Sequence, residues 1–144
     1  MNVIGFNFTK IEASRSQEFK PGFTITTDIE FTDVREHALD VLKDGQAMIV
    51  SFLYRINYKD KKKDIATVYF EGDITLSVSK EEAKDITKQW KKRKLPNSFK
   101  IPFFNLILKK CTPKALIIEE DIGIPNHLPL PKIGPGQAPQ EDEE

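Results

Sequence analysis

Residues 48–78 read MIVSFLYRINYKDKKKDIATVYFEGDITLSV, and this stretch decides the fold. Large apolar side chains alternate with smaller or polar ones in two runs, which is the period of a strand with one buried face. The charged residues 59–64 between the runs are too few for a crossover helix, so we expect the two strands to pair antiparallel. Gly72 indicates a bend or bulge in the second run. The apolar positions are Met48, Val50, Phe52, Tyr54, Ile56 and Tyr58, and then Val68, Phe70, Ile74, Leu76 and Val78.

Two further strand patterns precede this hairpin. Across residues 23–31, apolar residues again fall on one parity, with threonines and acids on the other. In the first strand Phe8 has one parity and Ile11 the other, and a bulge near residues 9–10 would bring both to the core side. No connection leaves room for a long helix. We therefore predict an α+β fold whose first half is a four-stranded antiparallel sheet.

The apolar period lengthens after Val78, where a first helix is predicted. Ser79 followed by Glu82 is a capping box, in which each side chain bonds the backbone of the other residue. The helical pattern continues to about Lys94, and Pro96 prevents the helix from going further. This helix should pack one face on the sheet.

A second helix is predicted from Pro102, because proline suits the first turn of a helix. Pro113 is expected to kink or break it, and Gly123 to end it. Apolar side chains surround most of its circumference, whereas one four-stranded sheet covers only one side. We therefore place both helices on one face of the sheet and the second at the subunit interface of a homo-oligomer. The expected interface residues are Phe104, Leu108 and Leu116.

The composition fits one domain and excludes several protein classes. The 144 residues suit a single core, and the 22 basic and 22 acidic residues cancel. No run approaches the length of a membrane span, and one cysteine without a secretory signal pattern favours a cytoplasmic protein. We expect residues 1–133 to form one domain. Residues 134–144, rich in Pro, Gly and Gln and ending in EDEE, are expected to be a disordered acidic tail.

No residue pattern indicates catalysis, a metal site or a cofactor. Cys111 and His127 could form a nucleophilic pair, but the sequence suggests no third residue to orient them. The alternative is that Cys111 is a buried structural residue. No spacing of cysteine and histidine offers three or four metal ligands, and no glycine pattern matches a phosphate-binding loop. We therefore expect a protein that is not an enzyme.

Charge is distributed unevenly along the chain. Residues 80–114 carry eleven basic and three acidic residues, whereas residues 115–144 carry one basic and seven acidic. The run Lys88–Lys94, with Trp90 inside it, is either a solvated helix end or a nucleic-acid-binding module. Three acids at the end of the second helix oppose its dipole, and we expect them to be exposed or to face a basic partner. They are Glu119, Glu120 and Asp121.

The order of elements, together with two sequence stretches, resembles the SecB family of protein-export chaperones. The first stretch is KKCTPKALIIEE at residues 109–120, where a cysteine close to a proline is followed by an aliphatic run and acids. The second is GIPNHLPLP at residues 123–131, a Gly-hydrophobic-Pro segment that leads into an extended tail with leucines and prolines. The resemblance covers roughly residues 3–133.

This resemblance implies a homotetramer, built as a dimer of dimers, that holds unfolded or partly folded polypeptides in apolar grooves without ATP. Familiar members dock an export motor through an acidic sheet surface, whereas this chain is neutral. A general holdase and a chaperone dedicated to one partner, such as an antitoxin, therefore stand beside a role in export. The predicted helix boundaries place Leu95, Phe99 and Ile101 in the short segment that joins the two helices. The client-binding groove that the resemblance implies comprises Phe23, Ile25, Leu95, Phe99 and Ile101.

Overall fold

The computed structural model describes residues 1–37 and 46–136. Four antiparallel strands are followed by two helices, as the sequence predicts. The strand order is β1-β4-β3-β2, so that β1 and β2 form the two edges of the sheet. The elements are β1 (Asn2–Arg15), β2 (Thr24–His37), β3 (Gln46–Asp60), β4 (Lys63–Val78), α1 (Lys80–Trp90) and α2 (Asn97–Asp121).

The bulge predicted in β1 is present. Phe8 pairs with Gly72, the register shifts between Phe8 and Lys10, and Ile11 then pairs with Phe70. Paired residues of an antiparallel ladder point to the same face, so the shift puts Phe8 and Ile11 on one side. β2 has a second, unpredicted shift, between Phe31 and Asp33.

Gly72 is required by close approach rather than by an unusual backbone angle. A Cβ atom at this position would lie 2.6 Å from the carbonyl oxygen of Asn7 and 2.6 Å from Cζ of Phe52. Any side chain here would push β1 away or displace a core ring. The glycine therefore lets the Phe52 ring cover the centre of the sheet.

The core lies between one face of the sheet and α2. β3 and β4 bury alternate residues there, and the rings of Tyr54 and Phe70 stack with centroids 5.7 Å apart. α2 buries every fourth residue, so its contact stripe winds slowly around the helix. These residues are Phe99, Phe103, Ile107, Cys111, Ala115 and Glu119.

Both helix boundaries differ from the prediction. α1 ends at Trp90 rather than near Lys94, and α2 begins at Asn97 rather than at Pro102. Pro113 was predicted to kink or break the second helix, and it does not break it, since α2 runs through this residue without interruption. Pro113 and Lys109 are exposed, so water can bond the Lys109 carbonyl that the proline leaves without a donor.

Arg15, the last residue of β1, ties the start of the chain to the end of α2. Its Nη1 donates to the carbonyl oxygens of Ile122 at 3.2 Å and Gly123 at 2.7 Å, and its guanidinium lies 5.4 Å from the Phe19 ring centroid. A cation at this position complements the helix dipole.

In residues 1–37 and 46–136, no helix combines the length and apolarity that crossing a membrane requires. Of the predicted tail at 134–144, residues 137–144 lie outside the described residues.

Candidate functional site

A cleft of about 470 Å³ opens between the β2 edge and the corner where α1 meets α2. Its walls come from β2 on one side and from the α1–α2 connection and the first turns of α2 on the other. The lining residues are Ile29, Glu30, Phe31, Trp90, Arg93, Lys94, Leu95, Asn97, Lys100 and Phe104.

Aromatic rings form one wall of the cleft. The ring of Phe31 lies 5.1 Å from that of Phe104 and 6.1 Å from that of Phe103, which is fully buried beneath it. Phe31 points toward the helices because it pairs with Phe52, on the core side of β3. A core ring thus supports the half-exposed rings, which keeps the wall in place without a ligand.

The end of α1 positions the opposite wall. The Arg93 amide donates to the Trp90 carbonyl at 2.8 Å and the Lys94 amide to the Gln89 carbonyl at 3.2 Å. Arg93 has a left-handed backbone, with φ 57. This turn reverses the chain and leads to Leu95, which is buried and anchors the corner. Trp90 packs against the core and lines the cleft as well.

The three predicted groove residues near α2 differ in their exposure and in whether they line the cleft. Leu95 lines the cleft, although its side chain is largely buried. The placement of Phe99 and Ile101 in a connector is wrong, because both belong to α2. Phe99 is 7% exposed and part of the core, whereas Ile101 is 62% exposed and does not line the cleft.

The other two predicted groove residues, Phe23 and Ile25, lie further along β2. Phe23 precedes the strand and its ring is 5.8 Å from that of Tyr58, while Ile25 pairs with Tyr58. At about 3.3 Å per residue, Ile25 is about 20 Å from Phe31. The five residues therefore do not meet in one pocket. Phe31 and Phe104 line the cleft but were not among the predicted groove residues. Phe31 could have been found, because it has the same parity in the strand pattern as Phe23.

Three apolar side chains of α2 are exposed along its length. They are Ile101, Leu108 and Ile117. Of the predicted interface residues, Leu108 is exposed, Leu116 is half-buried, and Phe104 is half-buried in the cleft wall.

A buried polar cluster lies at the opposite end of α2. The prediction that Glu119 is at the surface or faces a basic partner is wrong, since Glu119 is 0% exposed and the His127 side chain 2%. His127 Nδ1 lies 2.7 and 2.8 Å from the two carboxylate oxygens, and its backbone amide donates to Oε1 at 2.6 Å. The chain after α2 thus folds back onto the carboxylate at the helix end.

Two tyrosines complete this cluster. The Tyr54 hydroxyl lies 3.2 Å from His127 Nε2, and the Tyr58 hydroxyl lies 3.1 Å from Glu119 Oε1 and also bonds the Pro125 carbonyl. Burial raises the pKa of Tyr54 to about 12. Burial, and then the charge of Glu119, raises the pKa of Tyr58 above its usual value. Both phenols therefore stay neutral, and the Tyr58 hydroxyl acts as a hydrogen-bond donor.

Cys111 is not arranged as a nucleophile. The residue is fully buried, and burial raises the pKa of its thiol to about 12, so that it stays protonated. No hydrogen bond joins Cys111 to His127 among the residues that the structure describes, because the His127 ring is held by Glu119 and Tyr54. Nor does this part of the chain gather three histidine, cysteine or acidic side chains as a metal site.

The fold is similar to that of a solved chaperone. No protein-family model and no curated protein matches the chain. Among solved structures, a SecB-like chaperone of Mycobacterium tuberculosis, in complex with a ChAD peptide from the HigA1 antitoxin, matches with a TM-score of 0.55 and 16% sequence identity. The match covers 92% of this chain and 90% of the other. At so low a sequence identity, a structural similarity of this extent shows that the two chains share a fold. The chain therefore has the SecB-like fold, as its pattern of elements predicts.

Proposed function

We propose that this protein is an ATP-independent chaperone that holds unfolded or partly folded polypeptides by their apolar side chains. The observation that carries the proposal is the open cleft between the β2 edge and the α1–α2 corner, with its wall of Phe31 and Phe104. The similarity in fold to a SecB-like chaperone supports the same role.

The geometry of β2 explains how such a surface would accept many sequences. One side of this edge strand carries a row of half-buried apolar residues. The row begins at Phe23, just before the strand, and continues with Ile25, Ile29 and Phe31. From Phe23 to Phe31 they span about 26 Å, which matches about eight residues of an extended client. A shallow strip of this kind buries apolar side chains in several registers without reading one sequence, so it suits clients that have no fixed structure.

We also propose that the chain assembles into a homotetramer in which the exposed apolar residues of α2 lie in the interfaces. Ile101, Leu108 and Ile117 would leave water on assembly, which supplies the driving force. Several clefts in one particle would bind one long client together, so weak contacts at each cleft add up to firm retention.

Suppression of aggregation tests the proposed function. A guanidinium-denatured test enzyme is diluted with the chaperone at equimolar ratio, and light scattering is recorded. The wild type should suppress scattering, and the double variant Phe31→Ala, Phe104→Ala should suppress it much less. Leu130→Ala with Ile133→Ala is the matched control, because both residues are apolar and exposed but lie after α2. No protection by the folded wild type would refute the proposal.

The physiological client is a separate question. The solved neighbour holds an antitoxin peptide, and the family that the sequence resembles serves protein export. We propose a polypeptide client in either setting, and the aggregation assay does not depend on which one applies.

A further inference from the structure

Cations border the cleft on the side of the α1–α2 corner. The segment from residue 88 to residue 100 carries six basic side chains and no acidic one. All six are exposed, and among the residues that the structure describes none lies within 4.0 Å of a carboxylate. They are Lys88, Lys91, Lys92, Arg93, Lys94 and Lys100.

Three of these cations belong to the cleft itself. Arg93, Lys94 and Lys100 line it, and Glu30 is the one acid among its lining residues. The Arg93 guanidinium lies 5.2 Å from the Trp90 ring centroid, and the Lys100 ammonium lies 5.7 Å from that of Phe104. The positive charges therefore stand directly beside the rings that form the apolar walls.

The positive surface continues beyond the cleft. A second depression, of about 360 Å³, shares Lys94 with it and is also lined by Lys88 and Lys92, with Asp85 as its acid. Concave surfaces lined by one sign of charge concentrate the electrostatic potential and attract the opposite charge.

The backbone at Arg93 adds an independent observation. Its φ of 57 is the left-handed conformation that a residue after a helix commonly adopts, and glycine or asparagine usually occupies it. An arginine pays a steric penalty there, and here its guanidinium reaches the cleft. Helix termination alone does not call for an arginine at this position.

On the basis of the proposed function, we propose that the cleft selects polypeptide segments in which apolar side chains are interspersed with aspartate and glutamate. The apolar side chains pack against Phe31, Trp90 and Phe104, and the carboxylates pair with Arg93, Lys94 and Lys100. Carboxylates of a client would meet exposed cations beside the apolar walls, so the selection is electrostatic and sensitive to salt, and the retention is apolar.

Fluorescence anisotropy of three labelled peptides tests this inference. The peptides share one order of leucines and phenylalanines, and their spacer positions are all Asp/Glu, all Asn/Gln or all Lys/Arg. At about 50 mM NaCl we expect the acidic peptide to bind about tenfold more tightly than the neutral one, and the basic peptide to bind weakest. At about 500 mM NaCl the three affinities should converge, because salt screens charge pairs and leaves apolar packing intact.

Two variants locate the effect in the cleft. Lys94→Glu with Lys100→Glu should abolish the preference for the acidic peptide and leave the neutral peptide bound. Lys20→Glu with Lys62→Glu changes the net charge equally at exposed positions outside the cleft, and should keep the preference. Arg93→Gly excludes unfolding as the cause of weaker binding. Glycine adopts φ 57 more readily than arginine, so the thermal stability of this variant should rise while its affinity for the acidic peptide falls.

The outcomes separate this inference from the proposed function. Equal binding of the three peptides would overturn the inference and leave the chaperone role standing. If no peptide binds, both fail. A single-stranded RNA of about the same length that displaces the acidic peptide at about 150 mM NaCl would also overturn it, because the cations would then be a phosphate-binding surface.

Discussion

At the scale of single residues, Glu119 and His127 form a buried polar pair whose stability depends on hydrogen bonds. Burying a carboxylate costs several kcal/mol unless hydrogen bonds replace the lost water. Here one carboxylate accepts from the His127 ring and amide and from the Tyr58 hydroxyl. Those donors depend in turn on Glu119, because the side chains of Tyr58 and His127 are buried.

Removing this carboxylate should therefore destabilise the protein strongly. Glu119→Ala leaves buried donors without an acceptor, and we expect the free energy of unfolding in urea to fall by about 3 kcal/mol. Glu120→Ala is the control, since it removes an exposed carboxylate one residue away and should change stability by less than about 0.5 kcal/mol. Equal losses of unfolding free energy from the two substitutions would contradict a stabilising role of the buried Glu119 carboxylate.

Cys111 gives a second prediction at this scale. Its thiol is fully buried and has a pKa of about 12, so a thiol reagent should not modify it in the folded protein at neutral pH. Labelling should begin only in denaturant and should follow the unfolding transition measured by circular dichroism. Rapid labelling of the native protein would show that the thiol is accessible.

At the scale of elements, the start of α1 depends on a capping box that the sequence predicted. Ser79 Oγ accepts from the Glu82 amide at 3.1 Å, and the Ser79 amide donates to Glu82 Oε1 at 3.0 Å. The amino group of Met1 lies 3.5 Å from the same carboxylate oxygen. The hydrogen bond from the Ser79 amide, together with this amino group, lowers the pKa of Glu82 below its usual value of 4.5.

The lowered pKa of Glu82 predicts how stability responds to acid. A carboxylate whose pKa is lower in the folded state stabilises fully above its unfolded pKa, and this contribution disappears as the pH falls through the folded pKa. The difference in thermal midpoint between the wild type and Glu82→Gln should therefore be present at about pH 6 and shrink below about pH 4.5. A difference that grows as the pH falls would contradict this mechanism.

The elements differ in how far the sequence determines them. A period of two over residues 48–78 predicts the central hairpin because β3 and β4 are covered on one face along their whole length. The start of α2 was missed because proline is common in a first turn, whereas the packing of Phe99 against Phe103 extends the helix back to Asn97. Phe99 and Phe103 are one turn apart in the same helix, so their spacing in the sequence already indicated a helix that begins before Pro102.

The candidate site was less predictable than the fold. The basic run and Trp90 stand out in the sequence, but Phe31 and Phe104 come together only when β2 lies beside α2. The same holds for Glu119 and His127, which lie eight residues apart with a turn between them. An acid at a helix end is ordinarily solvated, so only the fold reveals its partner.

At the scale of the whole molecule, the exposed apolar residues of α2 allow a test of the proposed homotetramer. A tetramer of chains of 16.5 kDa should give a mass of about 66 kDa by light scattering after size exclusion. Leu108→Asp with Ile117→Asp should lower that mass, because burying two carboxylates in an apolar interface is unfavourable. Ile133→Asp, at an exposed position after α2, should not. A wild type that elutes as a monomer would refute the assembly.

The position of Arg15 has a consequence for how this chain is made. β1 pairs with β4, and Arg15 bonds the carbonyls of Ile122 and Gly123, so the first strand meets its partners only after many further residues have been synthesised. On the ribosome the sheet cannot close before residue 78 has emerged, nor can the helix end be capped before residue 123. Until then β1 is an unpaired edge with apolar side chains, which is the kind of nascent segment that aggregates. A protein proposed to hold unfolded polypeptides thus passes through an aggregation-prone state during its own synthesis.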